Sequence, residues 1–103
     1  MKVFTLYVGT TQPEAKNTVV KLISGRFGSF TVISGEGYYH GEFEPMWFVR
    51  IATDKPLLVV ETADALRSTL NQEVVGIEYE SRNYKCTPED AATALRIILQ
   101  EAV

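Results

Sequence analysis

Apolar and polar positions change period several times along the 103 residues, and each change marks an element. Val3 to Val8 (Val-Phe-Thr-Leu-Tyr-Val) is β-branched and aromatic nearly throughout, which predicts a central strand covered on both faces. After Gly9, the run Thr11-Gln-Pro-Glu14 combines an N-cap residue, a proline near the first turn and a glutamate three residues on, so a helix with a capping box should start there. Ala15, Val19, Leu22 and Ile23 then recur at helical spacing as one stripe, and Gly25 is placed to stop the helix. Phe30 to Ser34 and Met46 to Thr53 read as two strands of a hairpin, with Pro45, which has no amide to donate, marking the start of the second. Asp54-Lys-Pro56 breaks that strand. Leu57 to Val60 fits either a short strand or the opening of a buried helix; from Thr62 onward Ala63, Leu66 and Leu70 share a helical face to about Asn71. Val74 to Glu80 alternates, with Val75, Ile77 and Tyr79 on one side, as a half-buried strand does. Ser81 to Cys86 reads as a turn, and Thr87-Pro-Glu-Asp90 as the start of a last helix with the stripe Ala91, Leu95, Ile98, Leu99 and Ala102.

The order strand, helix, strand, strand, helix, strand predicts a single α+β domain over residues 1–103 with the ferredoxin-like (βαββαβ) arrangement and an added C-terminal helix. Two helices then cover one face of a four-stranded antiparallel sheet. The other face is left for a partner, a ligand or another copy of the chain.

Composition narrows the chemistry. With 46% hydrophobic residues the chain can bury a modest core, which association with further copies would complete. A net charge of −3 and basic residues scattered from Lys2 to Arg96 argue against a nucleic-acid surface. Cys86 and His40 are each the sole residue of their type, so neither a disulfide framework nor a His/Cys metal site can be assembled within one chain. No charged leader and no apolar run long enough to cross a bilayer is evident, so a soluble cytoplasmic protein is expected.

Polar chemistry and aromatics concentrate in Ser34 to Ile51. Tyr38, Tyr39, His40, Trp47 and three carboxylates, Glu36, Glu42 and Glu44, lie in these residues with Gly35, Gly37 and Gly41. A stretch this rich in glycine and exposed aromatics is costly to order, which suggests a use; the plain alternative is a decorated hairpin whose aromatics pack on a neighbour. A Ser-His-Asp hydrolase is disfavoured, since His40 is the sole histidine and its segment carries no nucleophile-elbow signature. Gly35-Glu-Gly37 has no third glycine and no Lys-Ser/Thr, so it reads as a bend or bulge rather than a phosphate loop. Carboxylates beside π-faces remain: Glu36, Glu42 and Glu44 near Tyr38, Tyr39 and Trp47, with Glu78 and Glu80 on a strand of the same sheet. Such a set suits a cationic or nucleoside ligand, or else the glutamates are solvated edge charges. Glu44, next to the strand-starting Pro45, is the least easily explained as an edge charge.

Two resemblances follow from these motifs. Leu6-Tyr-Val-Gly9, Phe30-Thr-Val, the Gly37-x-Tyr turn, Glu44-Pro45 and Gln72-Glu-Val-Val75 are similar to a family of small bacterial proteins of unassigned function. Gly37-Tyr-Tyr39, Glu44 ahead of Val49-Arg-Ile51, and Gln72-Glu73 before an apolar strand resemble the phage enzymes that degrade S-adenosylmethionine (SAM), lyases whose trimers are PII-like. The linking loop is shorter here, and only Glu44 matches where those enzymes have a glutamate pair, so a second active-site carboxylate is unplaced. The resemblance implies a homotrimer that takes SAM as substrate and needs no metal or cofactor, because the substrate carboxylate attacks its own γ-carbon and expels methylthioadenosine. Glu44 and Tyr39 would then act at the reacting centre, and Tyr38, Glu42, Trp47, Glu78 and Glu80 would bind substrate. Of Tyr38 and Tyr39, adjacent strand residues, one should pack and one should bind. The alternative is a non-catalytic PII-like oligomer that binds an adenine nucleotide or a protein partner, or a purely structural one.

Overall fold

Strand β1 (Lys2–Gly9) buries every second side chain: Phe4, Leu6 and Val8 have no exposed surface, whereas Val3 is 42% exposed. The strand is central, but among the described residues only one of its faces is covered, because the two described helices gather on one side of the sheet. The computed structural model describes residues 2–10, 12, 14–80 and 82–87, with the backbone alone at 39, 82, 84 and 85. The elements after β1 are α1 (Ala15–Ser24), β2 (Thr31–Tyr39), β3 (Glu42–Thr53), α2 (Pro56–Thr69), β4 (Val75–Tyr79) and β5 (Arg82–Cys86). All neighbouring strands are antiparallel, in the order β2-β3-β1-β4-β5. The first four follow the ferredoxin-like order, and β5 extends the sheet to five strands.

Several boundaries differ from the sequence expectation. Residues 82–86 are not a turn: Glu80, with φ +49°, reverses the chain and Arg82–Cys86 pairs back onto β4, from Tyr79↔Arg82 to Val75↔Cys86. An edge strand needs no apolar run, and Cys86, wholly buried, is its inward anchor. The hairpin strands are longer than expected, so most of the Gly-Tyr segment is ladder rather than loop. Helix α1 starts at Ala15 with Glu14 as N-cap and no side-chain capping bond, so the glutamate is not the third residue of a capping box. Thr11 and Pro13 lie outside the described residues, as does the expected C-terminal helix.

Helix α2 resolves the ambiguity of Leu57 to Val60 as helix, since Pro56 opens it where a missing amide costs nothing. It buries Val59, Val60, Thr62, Ala63 and Leu66. The buried Thr62 hydroxyl donates to the Leu58 carbonyl at 2.6 Å and accepts from Arg26 Nη1 at 3.3 Å, so it is satisfied. The core lies between these helices and the inner face of the sheet, where Phe4 and Tyr79 stack with ring centroids 4.7 Å apart beside Leu6, Val49, Ile51 and Ile77. Each such aliphatic side chain contributes roughly 1.5–3 kcal/mol by burial.

Candidate functional site

The β2–β3 hairpin turns in two residues. His40 (φ +52°) and Gly41 (φ +78°) both take the left-handed conformation of the tight turns that match strand twist, and the ladder runs unbroken from Tyr39↔Glu42 to Thr31↔Arg50. Since the register contains no bulge, Gly35 and Gly37 do not mark a bend. They make room: a Cβ on Gly37 would lie 2.8 Å from Met46 Sδ, and one on Gly35 3.2 Å from Phe48 Cζ.

Unbroken register also sorts the hairpin by face. Pairs of β1 and β3 put Val8 and Trp47 on the helix side, and Gly9 with Met46 on the open side. Period two then carries Glu42, Glu44, Met46, Phe48 and Arg50 onto the open face, and Phe43 and Trp47 onto the other. Glu44 is half-buried there. Its carboxylate lies flat against Gly9, where any β-carbon would come within 2.8 Å of Cδ.

The adjoining wall is built by the end of α2. Asn71 takes φ +53°, and the Gln72 amide donates back to the Arg67 carbonyl at 2.8 Å, the bond that closes a helix with a left-handed residue. Gln12 Nε2 donates to the Leu70 carbonyl at 2.9 Å and ties the β1–α1 connection to the same corner. The chain leaves that turn as Gln72-Glu73-Val74, which with Glu44 lines a cleft of about 300 Å³. Two carboxylates and a primary amide thus border one space at the end of the sheet, a donor and acceptor set suited to an ammonium group or to hydroxyls.

The residues singled out by sequence are not all brought together. Glu44 and Glu42 share the open face. Glu78 is also there, two strands over, opposite Thr5 and beside Tyr7. Burial, then the Glu78 carboxylate, pushes the Tyr7 phenol above its ordinary pKa, so it stays protonated at neutral pH, and its ring meets Phe48 edge-on at 5.4 Å. Trp47 is separated from Glu44 by the sheet: it packs at the margin of the core with Lys16 Nζ 5.8 Å from the ring centroid. Tyr38 is 69% exposed, pairs edge-on with Phe43 and reaches Glu36 Oε2 at 3.5 Å. Glu80 sits in the exposed β4–β5 turn. Tyr39 pairs with Glu42 through the backbone, and its side chain lies outside the described part of the structure. Sequence reasoning did not assign Gly9, Gln72 or Glu73 to the site. The available signals were a glycine ending a central strand and the Gln-Glu pair preceding β4. Among the described residues no group of three or more His, Cys, Asp or Glu is arranged to hold a metal ion, and no helix is long and apolar enough to cross a membrane.

Strand order and helix placement define a ferredoxin-like α+β fold with one strand appended. No family model matches the chain, and no curated protein matches its sequence. Solved structures do share the fold. A phage SAM lyase in its apo state superposes with a TM-score of 0.61 at 20% identity, over 85% of this chain and 90% of that one. A phage SAM lyase in complex with S-methyl-5′-thioadenosine gives a TM-score of 0.61 at 16% identity over the same shares. At these identities the likeness establishes the common fold.

Proposed function

We propose that the chain is a SAM lyase, cleaving S-adenosylmethionine to methylthioadenosine and homoserine lactone. The observation that carries this reading is the Glu44 carboxylate laid against Gly9 in a cleft with Gln72 and Glu73, on a fold shared with phage SAM lyases. The reaction asks little of protein side chains. An oxygen of the substrate carboxylate forms a bond to its own γ-carbon as the carbon–sulfur bond breaks, the electron pair goes to the sulfonium, and no proton is transferred. The catalyst has to fold the substrate so that the reacting atoms meet, and hold it there.

Charge arithmetic assigns Glu44 within that scheme. The sulfonium loses its charge on the way to the transition state, so an anion pressed on sulfur would stabilise the ground state more and slow the step. A carboxylate helps when it holds a group whose charge or hydrogen bonding persists, and the substrate offers an ammonium and ribose hydroxyls. Glu44 and Glu73 are proposed in that role, with Gln72 beside them. Tyr39, two register positions from the Gly37↔Glu44 pair, and Glu42 are proposed to extend the site along the hairpin. Tyr38 and Trp47, on the opposite side of the sheet from Glu44, would reach a bound substrate only across a subunit boundary.

The cleft of about 300 Å³ is at the lower limit for a small-molecule site, and the open face leaves Ile33 53% and Val3 42% exposed. Both features support a homo-oligomer, proposed as a trimer, in which a second copy closes the site.

The test is Glu44→Gln, which keeps shape and removes charge. A surface glutamate would change stability by only about 0.5 kcal/mol. A charge-assisted contact to bound substrate is worth roughly 1.5–3 kcal/mol, so methylthioadenosine release at SAM concentrations below KM should fall about ten- to a hundredfold with an unchanged melt. Equal rates for the two proteins would remove Glu44 from the site. No release by the wild type, together with stabilisation by methylthioadenosine, would replace the lyase with the nucleotide-binding module.

A further inference from the structure

The motif Val49-Arg50-Ile51 has no part in the carboxylate site. Arg50 shares the open face with Glu44 but stands six residues further along β3, roughly 20 Å away at strand rise. It borders a different cleft, of about 500 Å³, at the opposite end of the sheet, where the segment after α1 meets the starts of β1 and β2 and the end of β3.

We propose that this cleft binds a small molecule carrying a phosphate or diphosphate group. Three cations line it, Arg26, Arg50 and Lys55, together with three hydroxyl residues, Ser29, Thr31 and Thr53, and among the described residues no carboxylate does. In a chain of net charge −3 that is a local reversal of sign. Among the described residues neither Arg50 nor Lys55 has an ion-pair partner. The nearest acid on the Arg50 row is Glu78, two strands across through Thr5, and it forms no salt bridge with Arg50. Asp54 adjoins the cleft in sequence without lining it.

The frame holding these groups is ordered rather than a loose fringe of lysines. Arg26 is tied by Nη1 to the buried Thr62 hydroxyl at 3.3 Å, which fixes it between the two helices. Its amide and that of Phe27 both donate to the Ile23 carbonyl at 2.9 Å, and Phe27 is buried. On the far wall the Lys55 amide donates to Thr53 Oγ1 at 3.1 Å. Two guanidinium groups, an ammonium and hydroxyl groups bordering one cleft, with no carboxylate among the described lining residues, suit an oxyanion of more than one charge. The size of the cleft is in the range of small-molecule sites.

The probe is inorganic pyrophosphate, measured by calorimetry against sodium chloride of equal ionic strength, with wild type and the Arg50→Gln/Lys55→Gln double variant. Both side chains are exposed, so the variant should melt as wild type does in chloride. Wild type should bind pyrophosphate saturably, and the variant at least tenfold more weakly. Vesicles bearing a phosphomonoester headgroup form the second arm: sedimentation of the protein with them, without saturable binding of free pyrophosphate, overturns the small-molecule proposal. It is overturned equally by binding of the same strength in both proteins, which would be a general salt effect. A change of oligomer mass in the variant with no loss of affinity would show that the cations instead meet a neighbouring copy, and would also overturn it. Methylthioadenosine release plays no part in these readouts, so the outcome is separate from that of the lyase reading.

Discussion

Adding one methyl group at Gly9 should disable the proposed site without replacing any of its side chains. Glu44 can lie flat on β1 only because Gly9 has no β-carbon; one placed there would be 2.8 Å from Glu44 Cδ and 2.9 Å from Met46 Sδ. Carbon atoms settle at about 3.5–4.0 Å, so the carboxylate has to retreat by roughly 1 Å. Both obstructing atoms are ends of flexible side chains, and they can move at little cost to the fold. Alanine also restricts the unfolded chain, which favours folding by roughly 0.4–1 kcal/mol. Gly9→Ala should therefore melt within a few degrees of wild type. A misplacement of about 1 Å can cost on the order of a hundredfold in rate when the chemistry depends on a near-attack geometry. The assay is methylthioadenosine release at saturating SAM, alongside a thermal melt of the same preparation. A Gly9→Ala protein that turns over as fast as wild type would show that the seat of Glu44 on β1 is not the working geometry, even if Glu44→Gln is inactive. A protein that loses its melt as well would show that the methyl group cannot be absorbed by side-chain movement.

Two further outcomes are expected. Burial, then the Asp64 carboxylate with Oδ1 4.0 Å from Sγ, pushes the Cys86 thiol up to about 11 from its ordinary value of 9.0, with Arg67 opposing. Between those values the unfolded chain releases a proton that the folded chain keeps, so the thiol's contribution is complete below pH 9 and lost as pH rises toward 11. Denaturant midpoints taken from pH 8 to pH 10.5 should fall more steeply for wild type than for Cys86→Ala, and parallel curves would remove the thiol as the cause. Ile33→Glu, on the open face, should reduce the mass seen by light scattering at micromolar concentration from that of the proposed trimer to that of a monomer; an unchanged mass would move the proposed subunit contact elsewhere.

Elements whose signal is local were legible in the sequence. The helical stripes of Ala15, Val19 and Ile23 and of Ala63, Leu66 and Leu70, and the alternation of Val75, Ile77 and Tyr79, are all buried as expected. Strand β5 was missed because an edge strand of polar residues has no periodicity to announce it, and its pairing depends on Glu80 reversing the chain. The hairpin was misread in the opposite sense. Glycines at 35 and 37 suggest a bend when seen alone, but their function is set by Met46 and Phe48 on the next strand, a relation only register reveals. Register also divides the candidate site residues: those grouped because they are close in sequence are distributed over two faces of the sheet. Trp47 is three residues from Glu44 and so of opposite parity, and lies across the sheet from it. Glu73 is distant along the chain and borders the same cleft.

The glycines of the open face also set its relief. Side chains of β3 lie down over Gly9 on one side and over Gly35 and Gly37 on the other, and Tyr7 of β1 lies over Gly76 of β4. The glycine lanes are bare ground, and the chemistry of that terrain is written by one strand, at Glu44, Met46 and Phe48. A sheet built this way is easily re-lettered. Exchanging the side chain at one of three alternate positions on a single strand would repaint a stretch of surface three strands wide, while the lanes beneath stay as they are and the ladder keeps its register. Such a face could drift between ligands along a very short mutational path, with the buried half of every strand left untouched.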